Sequence, residues 1–480
     1  MRSSPDVPLV IKSFRALALA TAGGAVTVLA FPPFSVPLAA VAGPALFFLS
    51  LRKTRPRFLP GYLFGVTLFL GTLWWTAEFL SVAPFLLAAL LALPYGLVSL
   101  WARGPLGFSM GMLAAEFLHS IGPFGLPWNT IGSAAPRFLQ AAVAPWSGVW
   151  GVSFLLYWVA SNLFPPRRWL AAALVLLVPF LPSPAPSSPS ASIAVGIVQG
   201  NFSNENDYQY RPTEVLRELL SSGKRLADSG AELIVWTETV ILEYLEEPRN
   251  PVRKVLEEFA QSNGVPLLVG APSFPGHREK RNSVFLFRPD GEVLRYDKYH
   301  LVPFGEYLPG WGPDEEHRLI PEGTGDFSPA LVITPLGDLA PLICYEGMFG
   351  GLVAEEVRRG ARILINVSND AWARHRSEAE QHAFFTRMRS LETARPLVRA
   401  GNVGPSFVTD SRGRILGELP YGKAGTLLVR VPLDGARTFF ARFPDWFGWL
   451  SLFGTAFFLT IRGLEAETNS RNVKNPRFQY

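Results

Sequence analysis

Three strand-like segments of this chain end on residues that together can attack an ester or an amide. Leu233-Ile234-Val235-Trp236 is followed by Thr237 and Glu238, and Arg295-Tyr296-Asp297 by Lys298, with a second carboxylate, Glu306, eight residues on. Ala340-Pro341-Leu342-Ile343 leads into Cys344, the only cysteine in 480 residues. A single thiol cannot form an internal disulfide, and without a cluster of His or Cys around it makes a poor metal site. A cysteine acting on a carbonyl needs a base for its proton, a positive charge for the oxyanion, and that proton returned to the leaving group. Glu238 can carry the proton, Lys298 can stabilise thiolate and oxyanion, and Cys344 can attack, all without histidine. Each residue also fits a plainer role: buried thiol, helix-opening Glu, solvated Lys. His375 and His382, seven apart, read as surface or loop-packing residues, and no metal site is expected.

The surrounding sequence alternates short apolar runs with amphipathic stretches. Strands are expected at 193–199, 233–236, 266–270, 284–288, 293–296, 331–334, 340–344, 363–367, 397–400, 407–409 and 426–431. Several are near-continuous Val, Ile and Leu, as strands covered on both faces require. Helices are expected at 213–229, 251–262, 347–358 and 378–395, with Pro251 at a first helical position and Gly230, Gly264 and Gly360 as stops. The pattern predicts a layered α/β domain with a mixed sheet. A helix from 347 would set Cys344 under the positive end of its dipole.

Residues outside that domain are apolar in long runs: 14–30, 36–51, 58–80, 83–102, 106–120, 146–164 and 168–181, then 446–461. Seven in close succession with almost no internal charge predict a polytopic α-helical membrane domain, although several fall short of the ~20 residues that cross a bilayer comfortably. The first run reads as a retained anchor and not a cleaved signal. Arg52, Lys53, Arg55 and Arg57, then Arg103, then Arg167 and Arg168, mark alternate loops as cytoplasmic, with Arg137 the exception. The N-terminus is then cytoplasmic and the α/β domain extracytoplasmic. The expected division is a transmembrane domain of seven spans at 1–182, a Pro/Ser-rich linker at 183–192, a catalytic domain at 193–435, and a closing helix with a cytoplasmic tail at 436–480. The net charge of +5 comes from the cytoplasmic loops, and no basic run interleaved with aromatics points to nucleic acid. A free thiol outside the cytoplasm, where structural cysteines usually pair, favours chemistry at Cys344.

Glu238, Lys298 and Cys344, in this order and these contexts, resemble the Glu-Lys-Cys triad of the nitrilase superfamily over roughly 193–433, which implies an α-β-β-α sandwich. The flanking spans add to that likeness, as do 298–307 (Lys-Tyr-His-Leu-Val-Pro-Phe-Gly-Glu-Tyr) and 368–372 (Ser-Asn-Asp-Ala-Trp). With 125–128 (Gly-Leu-Pro-Trp) and 439–442 (Phe-Phe-Ala-Arg), the chain resembles the membrane-embedded apolipoprotein N-acyltransferase family over nearly its whole length. The resemblance implies a cofactor-free, two-step transfer in the bacterial inner membrane. Cys344 takes an acyl chain from a phospholipid, with phosphatidylethanolamine the expected donor, as a thioester. It then passes the chain to the α-amino group of an apolipoprotein's diacylglyceryl-cysteine. It further implies supporting roles for Glu306, Tyr345 and Glu346, and a substrate-binding role for Trp128. The chain departs from the pattern at 201–208, where Tyr208 replaces a tryptophan, at Ala373-Arg374 in place of Phe-Gly, and at 401–405, all in segments expected to cover substrate.

Two other readings use the same residues. A membrane-tethered amidase or hydrolase would employ the triad with water as acceptor. A transporter or scaffold would place charge within its spans, where only Glu78, Glu116 and His119 are candidates, each near a span end. For the acyltransferase, the stretch 304–311, freed by Gly305 and Gly310, is the expected gate toward the bilayer. Each methylene left in lipid avoids about 0.8 kcal/mol of exposure, so the site must meet its substrates at the membrane. A fragment of residues 193–435 should therefore fold yet fail on bilayer-embedded phospholipid. Full activity of that fragment on intact membranes would sink the arrangement.

Overall fold

The computed structural model describes residues 7–52, 58–102, 104–122, 124–163, 191–203, 211–275, 280–307 and 338–474. The expected span at 168–181, the strand at 331–334, Tyr208 and most of the linker lie outside these residues, as do positions 308–311 and the last six residues.

The apolar N-terminal part folds as helices α1 (Val7–Val28), α2 (Ala39–Arg52), α3 (Phe58–Thr72), α4 (Ala83–Leu91), α5 (Leu93–Trp101), α6 (Pro105–Leu118) and α7 (Arg137–Asn162). Ala83–Trp101 and Arg137–Asn162 are long and apolar enough to cross a membrane, whereas Phe14–Val28, Ala39–Arg52, Phe58–Thr72, Pro105–Leu118 and Trp446–Ile461 are apolar but shorter. The expected run 58–80 is not one helix. It stops at Thr72, and a tight turn at Trp74–Glu78 swings Trp75 inward against Trp128 and Trp372. Glu116 is buried, where it accepts hydrogen bonds from the Ile131 N–H (2.8 Å), Ser153 Oγ (2.9 Å) and Tyr157 OH (2.9 Å). It ties α6 to α7. Arg137, the exception in the loop charges, opens α7 and donates to the Arg412 carbonyl of the α/β part at 3.1 Å.

The α/β part holds strands β1 (Ser192–Gln199), β2 (Leu233–Val235), β3 (Leu267–Ser273), β4 (Arg281–Phe287), β5 (Val293–Asp297) and β6 (Leu339–Ile343). Next come β7 (Ile363–Ser368), β8 (Leu397–Gly401), β9 (Ser406–Thr409), β10 (Ile415–Leu419) and β11 (Gly425–Pro432). Its helices are α8 (Pro212–Asp228), α9 (Pro251–Asn263), α10 (Gly350–Arg358), α11 (Arg376–Thr386), α12 (Met388–Thr393) and α13 (Phe439–Arg442), before α14 (Trp446–Lys474). Two mixed sheets form, ordered β11-β1-β2-β3-β4-β5 and β10-β9-β8-β7-β6. Because successive strand residues point to opposite faces, one sequence fills three layers. Val195, Ile197, Leu233, Val235, Leu268, Ile365, Val367 and Val398 meet between the sheets. Their neighbours Val198, Ile234, Trp236, Leu267 and Val269 pack under α8 and α9, and Leu342, Leu364 and Leu397 under α10 and α11. This is the α-β-β-α sandwich. The expected helix 378–395 is two helices, parted at Arg387, and edge strand β10 is additional. Its Gly417 and mostly exposed side chains give no buried period to read.

The helical and α/β parts are joined at a broken helix. α7 leaves helical geometry at Gly148 (φ +66°), where a Cβ would lie 2.5 Å from the Phe440 ring. The freed N–H of Val149 donates to Glu392 Oε1 on α12 at 2.8 Å, and Glu392 also pairs with buried Arg389 at 3.0 Å. Burial pushes the Glu392 carboxyl up to about 7 against the pull of Arg389 and Val149. Glu392→Ala strands a buried guanidinium and an N–H, which should destabilise the protein by about 3–5 kcal/mol. Thermal unfolding of the purified full-length protein measures this, and an unchanged midpoint removes Glu392 from the joint.

Candidate active site

The triad residues meet because strands from both sheets end at one edge. Glu238 follows β2, and its backbone is crowded by β3 so closely that a Cβ on Gly270 would sit 2.6 Å from the Glu238 Cα. Its Oε2 crosses to the second sheet, accepting the Asn369 N–H at 2.8 Å. Its Oε1 accepts Asn282 Nδ2 at 2.7 Å and faces Lys298 Nζ at 3.5 Å. Lys298 follows β5 directly; its buried ammonium donates to Glu306 Oε1 at 2.8 Å. The same Asn282 amide donates to Glu306 Oε1 at 2.8 Å, so it spaces the two carboxylates around one cation. Val302 N–H holds Glu306 Oε2 at 2.8 Å.

Cys344 ends β6 with φ +53°, a left-handed conformation that costs a non-glycine residue about 1–2 kcal/mol. The expected helix does not begin at 347. Cys344–Met348 is a tight five-residue turn, and α10 starts only at Gly350. Asn366 Nδ2 bonds the Leu342 and Cys344 carbonyls at 3.0 Å each. Glu346 fixes the turn to the Lys298 loop. Its Oε2 takes the Ile343 N–H (2.7 Å) and its Oε1 the Tyr299 N–H (2.7 Å), the His300 N–H (3.1 Å) and the Tyr296 OH (2.9 Å). Burial lifts Glu346 to about 7, opposed by these N–H donors and by Lys298. Tyr345 OH donates to the Gly125 carbonyl, and Trp128 Nε1 donates to Gln381 at 2.7 Å, so the helical part walls the site.

Burial drives the charges. It pushes the Cys344 thiol well up, Glu238 adds to the rise, and Lys298 pulls it down. Burial also raises Glu238, against Lys298. Lys298 stays an ammonium: burial disfavours its charge, but Glu306, Glu238 and Cys344 outweigh that and raise it. The balance favours the protonated form of the resting sulfur.

Of the two readings of His382, surface or loop-packing, the first does not hold: its ring packs against the turn that opens at Asp370. His382 is buried on α11, and a ring nitrogen, Cys344 Sγ and an Asp370 carboxylate oxygen lie within 4.8 Å of one another. Asp370 also binds Arg399 Nη2 at 2.7 Å and Ser368 Oγ at 2.7 Å. These are the three donors among the described residues that approach a metal-ligand set. With Arg399 on the same carboxylate and Lys298 facing the same thiol, they are better matched to protons than to a dication. His375 accepts from the Ser377 N–H and caps α11. Asn369 and Asp370 stand in the 368–372 motif, whereas nothing in the sequence singles out Asn282 or Arg399.

Asn282→Ala should leave two carboxylates on one lysine without their spacer, lowering the rate of thiol acylation by about 10–100-fold with the fold intact. Asn282→Asp adds a third anion and should lower it further. A rate within twofold of wild type in both variants, read by mass spectrometry of quenched protein, would remove the spacer role.

Comparison with known proteins follows the same division of the chain. The carbon-nitrogen hydrolase family profile matches residues 194–439, and that of the apolipoprotein N-acyltransferase N-terminal domain matches 23–162. The apolipoprotein N-acyltransferase of Geobacter metallireducens is 31% identical, covering 91% of this chain and 93% of its own. That of Ralstonia nicotianae is 32% identical over 88% and 89%. Among solved structures, Saccharomyces cerevisiae Nit3, of the nitrilase superfamily, is similar with a TM-score of 0.40 at 20% identity, over 51% of this chain and 92% of its own. With relatives at this identity over nearly the full length of both chains, and both halves matched, this chain belongs to the apolipoprotein N-acyltransferase family.

Proposed function

We propose that the site carries out acyl transfer in two half-reactions, with Cys344 as nucleophile, Glu238 as proton carrier and Lys298 as the positive charge at the oxyanion. The observation that carries this is the convergence of the three groups from two sheets in a buried site walled by the helical part. In the first half-reaction Glu238 takes the Cys344 proton as sulfur attacks the phospholipid ester carbonyl. The C–O bond breaks, and Glu238 returns the proton to the departing lysophospholipid oxygen. In the second, the α-amino nitrogen of the diacylglyceryl-cysteine attacks the thioester, the C–S bond breaks, and sulfur regains a proton. Glu306 keeps Lys298 charged and aimed, Glu346 and Tyr345 hold the nucleophile turn, and Trp128 lines the substrate side. Phosphatidylethanolamine is the proposed donor.

The substrates are lipids, and the helical part suits them. Leu86, Leu90, Leu97, Phe453 and Phe457 are each more than half exposed. Such an outward apolar surface supports a polytopic domain at 1–182 in the bacterial inner membrane, followed by the linker at 183–192. The catalytic domain at 193–435 is then extracytoplasmic, and a closing span and cytoplasmic tail occupy 436–480. Phe124 and Phe304 stack with centroids 6.3 Å apart, both more than half exposed, and suit an apolar mouth. The hydrolase reading draws no support from the family assignment.

Mass spectrometry of the full-length protein incubated with phospholipid should find one acyl adduct on Cys344. Cys344→Ala should lose adduct and transfer while keeping its fold, and transfer by that variant at an appreciable rate rejects the nucleophile. Glu238→Gln should block acylation but still bind phospholipid. Because Glu238 is raised, its base form appears above the ordinary carboxylate range near 4.3. Adduct formation should fall about tenfold per pH unit below that shifted point. A rate level down to pH 4 contradicts Glu238 as base.

A further inference from the structure

The second half-reaction has a proton that Glu238 cannot handle. An α-amino group has an ordinary pKa of about 7.7–8.0, so at pH 7 the acceptor is mostly ammonium. Its nitrogen must shed two protons to become an amide nitrogen. One returns to sulfur through Glu238, a carboxylate with room for one proton. The other either leaves to solvent before the amine binds, which makes transfer climb with pH, or goes to a separate acceptor within reach of the thioester carbon, which is one bond from Sγ.

The Asp370 carboxylate accepts from His382 Nδ1 at 2.9 Å, and an ionised carboxylate can only accept. Arg399 Nη2 also lies 3.3 Å from Nδ1, but its close bond, 2.7 Å, goes to the other Asp370 oxygen; the shorter Nδ1 contact, to Asp370, places the ring proton on Nδ1 and leaves a lone pair on Nε2. Nε2 is buried and has no hydrogen-bond partner among the described residues. Since a buried polar atom is normally paired, an orphan beside a nucleophile points to a partner that arrives with substrate. The ring is held from behind. Arg399 Nη2 and Ser368 Oγ fix Asp370, the indole of Trp128 lies 6.5 Å away at 29° to the imidazole, and Trp128 itself is tethered to Gln381. A ring nitrogen reaches within 4.8 Å of Sγ.

We infer that His382 is a second base of this site, accepting the surplus proton of the acceptor ammonium at Nε2 so that the amine can attack the acyl thioester on Cys344. The N–H bond breaks toward Nε2, the nitrogen pair forms the bond to the carbonyl carbon, and the imidazolium rests against Asp370 until its proton leaves to solvent. This rests on the acyl-enzyme reading above. The charged groups around the ring are Asp370 from the turn after β7, Arg399 from β8 and Glu378 on α11, with Cys344, Glu238 and Lys298 across the site. Burial and Arg399 hold the imidazole below its ordinary value, and Asp370 and the nearby Cys344 carbonyl oppose them. His382 is thus neutral and ready to accept at neutral pH.

The test separates the half-reactions. Full-length wild type, His382→Asn and His382→Gln are loaded with phospholipid, and adduct on Cys344 is timed. A diacylglyceryl-cysteine peptide or hydroxylamine, which arrives largely unprotonated at pH 7, is then added. Both variants should acylate within about threefold of wild type but transfer to the peptide about 100-fold more slowly at pH 7. That deficit should close as pH rises past the amine pKa, and should be small with hydroxylamine at any pH. Equal loss in both half-reactions, or a deficit unchanged at pH 9 or with hydroxylamine, makes His382 structural and overturns the proposal. If neither variant folds, wild type decides. With saturating peptide its transfer rate should be nearly level from pH 6.5 to 8, and a tenfold climb per pH unit overturns the proposal. Absence of any adduct on wild-type Cys344 instead removes the acyl-enzyme reading, and the proposal with it.

Discussion

The structure depends on one buried cation. Lys298 is an ammonium removed from water and held between Glu238 and Glu306. A buried charge that loses its partner costs several kcal/mol, so the two carboxylates and the Asn282 amide between them form one unit. Its components come from the exits of β2 and β5, from β4, and from the loop closed by Glu306. Two anions around one cation leave the cluster with net negative charge, which resists a resting thiolate and keeps the sulfur protonated until substrate arrives. In the proposed transfer the lysine acts most strongly when a carbonyl oxygen gains charge, as transition-state stabilisation requires.

The two-sheet architecture makes that unit specific to Cys344. Glu238 accepts the Asn369 N–H from the opposite sheet, and Glu346 on the nucleophile turn gathers N–H groups from the Lys298 loop. These two carboxylates stitch the sheets together at the edge where the chemistry lies. Glu346, with Asn366 on the Cys344 carbonyl, also braces the left-handed Cys344 backbone. Glu346 reaches no reacting group through any described bond, so its contribution is to the distance between lysine and sulfur.

Much of this was legible before the fold. Near-continuous Val, Ile and Leu marked β1, β2, β6, β7 and β8, because strands covered on both faces admit little else, and Pro251 and Gly264 marked the ends of α9. Each triad member follows a strand, but it was the likeness of their contexts to the nitrilase triad that set them apart. What the sequence withheld has physical causes. Asn282 and Arg399 lie within strands, where a polar residue carries no period and its partners are distant in the chain. His382 looked like a surface residue because α11 is polar in composition, yet Asp370, Arg399 and Trp128, each from a different element, enclose it. The helix expected from Gly347 failed because Glu346 folds back onto the Ile343 N–H and makes a tight turn first. The break in the 58–80 run came from a tertiary aromatic contact that no window of hydropathy contains.

The same aromatic contact bears on why such a site passes its acyl group to an amine and not to water. Trp75, Trp128, Trp372 and Phe385 form a continuous wall beside His382, with centroids 5.3 to 6.0 Å apart, and Phe79 extends it at 5.1 Å from Trp372. A thioester behind such a wall meets little bulk solvent, and a stray water there would need to surrender most of its hydrogen bonds. In the proposed transfer, an ammonium-bearing lipid-linked acceptor brings its own apolar mass to the wall and its charge to His382, which is backed by Asp370. Selectivity against water then comes from what each nucleophile loses on arrival. Trp75 and Trp128 belong to the helical part, whereas Trp372 and Phe385 belong to the sandwich. The wall is complete only while the two parts are docked, and this places the joint at Glu392 and Gly148 in the service of the chemistry at Cys344.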